Sequence, residues 1–139
     1  MAVTANSIIT PQTPKSAQAV CTAQKVTTTL NDNSNTVLLL TAGPNGCRLT
    51  KLVATPRATV SATGCLVFTS PDGTAMYLKD SASMAAQTIP TPITAAVTRN
   101  DFAYSDANPM ILGPNERVYV AISVALAAGV VFAAEYADY

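Results

Sequence analysis

The feature that most restricts the fold is a run near the end of the chain, residues 117–136 (RVYVAISVALAAGVVFAAEY). In its first half Val118, Val120, Ile122 and Val124 fall on one face, and Arg117, Tyr119, Ala121 and Ser123 on the other. In its second half Val130, Phe132 and Ala134 alternate with Val131, Ala133 and Glu135. A period of two is the signature of a strand. Both halves are rich in β-branched and aromatic residues, which suit a pleated, half-buried surface better than a helix. The short Ala- and Gly-containing stretch between them predicts a hairpin, with one apolar face on a core and a mixed face outside. At ~3.3 Å per residue such arms cross a small domain, which sets an all-β expectation for the whole chain.

Turn chemistry elsewhere divides the chain into more strands of that kind. Residues 36–41 (TVLLLT) and 47–55 (CRLTKLVAT) flank Gly43-Pro44-Asn45-Gly46 and read as a second hairpin, ended by Pro56. Residues 65–68 (CLVF) and 75–79 (AMYLK) flank Ser70-Pro71-Asp72-Gly73-Thr74, where Pro fixes φ and Gly supplies a positive φ. Residues 81–87 suit one helical turn, Pro90 and Pro92 break any longer helix, and residues 93–99 (ITAAVTR) read as a strand. Residues 100–108 form a polar loop carrying Phe102 and Tyr104 two apart, a pair expected to anchor the loop to the core, with partner binding the alternative. Asp32, Ser34 and Thr36 have alternate spacing like a calcium loop but lack its Gly and distal Glu, so a plain turn is expected.

The architecture this predicts is a single-domain antiparallel β-sandwich, jelly-roll-like, over residues 15–139, preceded by an extended N-terminal arm over residues 1–14. Pro11 and Pro14 keep the arm from coiling, and the adjacent apolar Ile8 and Ile9 are its candidate anchors on a neighbouring subunit. Strand order is not fixed at this level, since immunoglobulin-like and jelly-roll connections share the same pattern of short strands and turns.

Composition narrows the function. Half of the 139 residues are hydrophobic (49%) and only 12% are charged, about half the usual share, so Thr, Ser, Asn, Gln and Ala must cover the surface. Eight basic and eight acidic residues cancel, and the densest basic group, Arg48, Lys51 and Arg57, is too small to release many counterions; no nucleic-acid partner is expected. No secretory leader and no run of ~20 apolar residues is visible, so the expectation is cytoplasmic synthesis and no membrane partner. Histidine is absent, which removes Ser-His and Cys-His pairs, and no Gly-x-Ser-x-Gly, Ser-x-x-Lys or Gly-rich phosphate loop occurs. Neither an enzyme nor a cofactor is expected.

Cys21, Cys47 and Cys65 have no metal-ligand spacing, and with no histidine a metal site is not expected. A Cys47–Cys65 disulfide would close a loop of about eighteen residues and contribute ~3 kcal/mol. Three buried reduced thiols are the preferred expectation over that disulfide, in agreement with cytoplasmic synthesis. Cys21, if exposed, is a candidate for an intermolecular disulfide.

The opening AVTANSIITPQ, the central LVATPRATVSAT followed by CLVFTSPDGT, and the closing DFAYSDANPMILGPNERVYVAISVALAAGVVFAAEY resemble a group of small proteins encoded by tailed bacteriophages and prophages. The resemblance runs along nearly the whole chain. Its motifs are turn-plus-strand phrases, so no site residue carries over. It implies a virion structural protein, in particular a capsid decoration or cement protein made in the host cytoplasm and bound to the outer capsid surface. The implied partners are the major capsid protein and further copies of the chain, with a trimer the expected oligomer. The candidate interface residues are Ile8, Ile9, Ile89, Phe102 and Tyr104. The alternative is a tail-, neck- or spike-associated β-sandwich that recognises host glycan or another virion protein.

Overall fold

The computed structural model describes residues 10, 11, 13–25, 30–94 and 96–139. Among them nine strands form in chain order: β1 (Thr13–Cys21), β2 (Val37–Thr41), β3 (Cys47–Pro56), β4 (Thr63–Ser70), β5 (Tyr77–Met84), β6 (Asn100–Phe102), β7 (Met110–Leu112), β8 (Arg117–Ile122) and β9 (Val130–Asp138). They make two antiparallel sheets and no helix. The first runs β1-β9-β3, with β6 and β7 both on the far edge of β3, where they pair with Leu52–Ala54 and Cys47–Leu49 respectively. The second runs β2-β8-β4-β5.

The alternating residues explain why the sheets stack. Ala19, Leu49, Leu52, Phe132 and Ala134 from the first sheet meet Leu40, Cys65, Val67, Val118, Val120 and Ile122 from the second in one buried cluster. The fold is therefore a β-sandwich closed by burial of apolar surface from both sides.

Two expected hairpins are not hairpins. β8 and β9 lie in different sheets, as do β2 and β3. The apolar faces of each pair do meet a common core, but from opposite sides, and residues 123–129 carry the chain across. A period-two pattern fixes which side chains go inward; it does not distinguish strands lying side by side from strands facing across the core. The β4–β5 hairpin does form, with a bulge between Val67 and Phe68. Its turn is held as its residues dictate: Asp72 Oδ1 accepts the backbone N–H of Thr74 (2.8 Å) and Ala75 (3.0 Å), and Gly73 sits at φ +83°.

Other expectations need correcting too. Residues 81–84, read as part of a helical turn, continue β5, because strand β4 offers them a ladder down to Thr63. The described residues of 93–99 contain no strand; pairing with β3 begins only at Asn100. Thr13 and Pro14, assigned to the arm, are the first residues of β1, opposite Asp138 and Ala137.

A second, smaller apolar cluster lies on the outer face of the second sheet, where Phe68, Met76 and Ala121 are buried with Leu66 and Tyr119 against them. Lys25, from the β1–β2 connection, lies over it. Gln24 bridges to Ile122, the Lys25 N–H donates to the Ile122 carbonyl (2.8 Å), and the Met76 N–H donates to Asn31 (3.4 Å). The outer face of the first sheet has no such cover among the described residues.

Candidate functional site

That open face is concave. Residues whose neighbours point to the core point outward here: Ser16, Gln18 and Val20 from β1, Val131, Ala133, Glu135 and Ala137 from β9, and Arg48 and Val53 from β3. The central strand presents mainly Ala and Val, so the middle of the sheet is low and its margins are high. Two adjoining cavities of about 600 and about 180 Å³ result, sharing Ser16 and Glu135. Pro11, Pro14, Arg48, Asp106 and Tyr136 rim the larger; Lys51 and Val53 rim the smaller.

Charge at this trough is mixed and mostly committed to the fold. Lys15 Nζ lies 2.6 Å from Asp138 Oδ2, and Asp138 also accepts the Gly43 N–H (3.1 Å), so one carboxylate ties β1 to the β2–β3 turn. The hydrogen bond to Asp138, followed by its charge, raises the Lys15 pKa. Lys51 and Glu135 stand 3.9 Å apart across β3 and β9. Arg48 donates through Nη2 to the Asp106 carbonyl, while its buried Nε has no hydrogen-bond partner. The trough offers donors, acceptors and small apolar patches, with Ser16 directly opposite Glu135 across the β1–β9 ladder, which suits it to binding.

One constellation elsewhere does join an amine, a hydroxyl and a carboxylate. Lys25, fully buried, places Nζ 2.5 Å from Asp32 Oδ1, 2.9 Å from the Asp32 carbonyl and 3.2 Å from Ser34 Oγ, with the Phe68 ring centroid at 5.8 Å. Ser34 Oγ in turn donates to Asp32 Oδ1 (2.6 Å). All three ammonium protons have acceptors, and the hydroxyl is itself bound to the same carboxylate. The group is a clamp that pins the β1–β2 connection over the outer cluster.

The expected interface residues fall in different places. Ile8 and Ile9 lie outside the described residues. Ile89 is half-buried, its N–H donating to Thr59 Oγ1 (2.9 Å). Phe102 takes the core-anchoring role and not the interface one: it is buried and stacked on Phe132 with ring centroids 6.5 Å apart. Tyr104 is half-buried against the core and donates to Asp80 Oδ2 (3.0 Å); burial first, then Asp80, raise its pKa. The aromatic pair thus holds residues 100–108 onto the sandwich.

The thiols are all free and buried. Cys47 pairs with Asp138 and Leu112 at the end of the sandwich where β8 begins, whereas Cys65 pairs with Ile122 at the end where β8 stops, so the Cys47–Cys65 disulfide does not form. Cys21 is 1% exposed and donates to the Val120 carbonyl (3.4 Å), which leaves it no route to an intermolecular bond in the folded chain. Burial pushes Cys21 and Cys47 up to about 12 and Cys65 up to about 11.

Sequence reasoning missed the trough, because strand order brings β1, β9 and β3 together. It also missed Ile93, which is 69% exposed although read as a strand residue, and Ile111, which is 59% exposed on β7. The position of Ile93, next to Pro92 and beyond the last turn, was the available signal. Among the described residues no group of three His, Cys, Asp or Glu is placed to hold a metal, and no helix is long and apolar enough to cross a membrane. No family model, no curated protein and no solved structure matches this chain.

Proposed function

We propose that this chain is a bacteriophage virion structural protein, a jelly roll that binds the outer capsid surface and cements the shell. The observation that carries the reading is strand order. Strands run β1-β9-β3-β6/β7 in one sheet and β2-β8-β4-β5 in the other, with β6 and β7 sharing one edge position. Counting that position once leaves eight strands in two four-position sheets, which supports reading the sandwich as a jelly roll, the double Greek key of viral capsid and lectin domains. A composition poor in charge, the resemblance to tailed-phage proteins, and the adjacent Ile8 and Ile9 in the sequence before β1 support the same reading. The mechanism is mechanical: many copies of a modest contact with the major capsid protein, and with one another, add up through multivalency. The test is copy number per purified particle, by quantitative mass spectrometry against the major capsid protein. A simple symmetry-set ratio is expected; absence from particles overturns the proposal.

A second reading rests on the trough. Its hydrogen-bonding rim of Ser16, Thr50, Arg48 and Glu135 suits a glycan or another virion protein, as in a tail-, neck- or spike-associated module. A few copies per particle, together with binding of the isolated protein to host cells, would favour it over decoration.

A further inference from the structure

The sandwich has four sheet edges, and three are protected against pairing with other chains. β2 is five residues long and bulged between Leu38 and Leu40. β6 and β7 are three residues each. β5 carries Lys79 and Asp80, and a bulge interrupts its ladder. Short length, bulges and charge are the usual devices that stop edge-to-edge association.

β1 has none of them beyond Pro14 and Lys15. Its nine residues pair with β9 in unbroken register, and residues 16–21 (SAQAVC) carry no charge. Residues 16–20 make no hydrogen bond to any described residue outside β9. Ser16, Gln18 and Val20 stand exposed on the open face. The edge is also complementary to itself. Turned antiparallel about Gln18, Ser16 of one copy faces Val20 of the other, Gln18 faces Gln18, and Ala17 faces Ala19; no like charges meet, since Lys15 falls opposite Cys21.

We propose that β1 pairs with β1 of a second copy, antiparallel about a twofold axis at Gln18, joining the two first sheets into one continuous sheet with a trough on each side of the seam. The occupant is a second copy because a charge-free, unbulged edge with self-complementary side chains is what an isologous contact requires. The contact is narrow compared with the ~1,200–2,000 Å² of a stable interface, so it is weak in free solution and gains from assembly on a surface. The inference does not depend on the virion reading.

The test is the mass of the purified full-length chain by sedimentation equilibrium from about 1 μM to about 1 mM, the range of weak association. The expected mass rises from 14.3 kDa toward twice that value with concentration. Gln18→Lys and Gln18→Glu each weaken association about tenfold or more, because like charges then face each other, and an equimolar mixture of the two restores it. Ser16→Lys with Val20→Glu in one chain retains dimerisation, since each substitution meets its opposite across the axis. Far-UV circular dichroism verifies that each variant is folded. A chain that stays monomeric throughout, that forms trimers, or whose dimer ignores charge at position 18 overturns the proposal.

Discussion

At the scale of single residues, the most consequential group is Lys25, whose charge is buried while its partner Asp32 remains partly open to solvent (side-chain exposure 1% and 42%). Removing the carboxylate leaves an ammonium buried with only neutral acceptors, whereas removing the ammonium leaves an Asp that water can still reach. Asp32→Ala is therefore expected to lower unfolding stability by about 2 kcal/mol, less than the roughly 3–5 kcal/mol of a fully buried pair, and Lys25→Met by less than Asp32→Ala. Urea unfolding of the two variants checks the order. Nothing in residues 24–36 announced this clamp, because a lysine between Gln24 and Val26 looks like a surface residue until Phe68 is brought beneath it. The thiols supply a pH dependence. Their native pKa values, about 12, 12 and 11 for Cys21, Cys47 and Cys65, lie above the ordinary 9.0, so above pH 9 the unfolded chain holds fewer protons than the native one. The stability they contribute is complete below pH 9 and is lost as pH rises toward 11–12; the raised Tyr104 and Lys15 act in the same direction. Denaturant midpoints measured from pH 8 to pH 11 should fall, and a thiol reagent at pH 8 should label the three cysteines only after unfolding.

At the scale of elements, turns were legible and sheet partners were not. Ser70-Pro71-Asp72-Gly73 and Gly43-Pro44-Asn45-Gly46 both turn where their residues say, because φ preferences and Asx bonding act within four residues. Whether the strands after a turn lie side by side or face across the core depends on residues far away, which is why 65–79 made the expected hairpin and 36–55 did not. The two glycines separate local strain from crowding. Gly73 (φ +83°) and Gly46 (φ +88°) both occupy the left-handed region. A Cβ at Gly73 would meet the Arg117 side-chain end at 2.3 Å, which can swing away; at Gly46 it would meet the Leu112 carbonyl at 2.4 Å, which cannot without moving β7. Gly73→Ala is expected to cost about 1 kcal/mol and Gly46→Ala at least about 2 kcal/mol more, as read from thermal unfolding.

At the scale of the whole molecule, each sheet joins strands distant in the chain: β1 lies beside β9, and β2 beside β8. Loop-closure entropy must be overcome before those contacts form, so refolding is expected in the millisecond-to-second range of sandwich proteins and not in microseconds. Stopped-flow tyrosine fluorescence measures this directly, since the chain has five Tyr and no Trp. The all-β class was legible from alternation alone, and so was most of the inward-facing set, Val118, Val120, Ile122, Val130 and Phe132 among it. The trough and the free edge were not, because both exist only once β9 has inserted between β1 and β3. The same insertion has a mechanical consequence. Thr13 and Asp138 form the outermost rung of the β1–β9 ladder, so both strands leave the sandwich at one corner. Tension pulling those two points apart opens the ladder like a zip, one rung at a time, instead of loading all nine together. Such a domain makes a poor tether between its own ends, but a sound spacer when squeezed across its sheets.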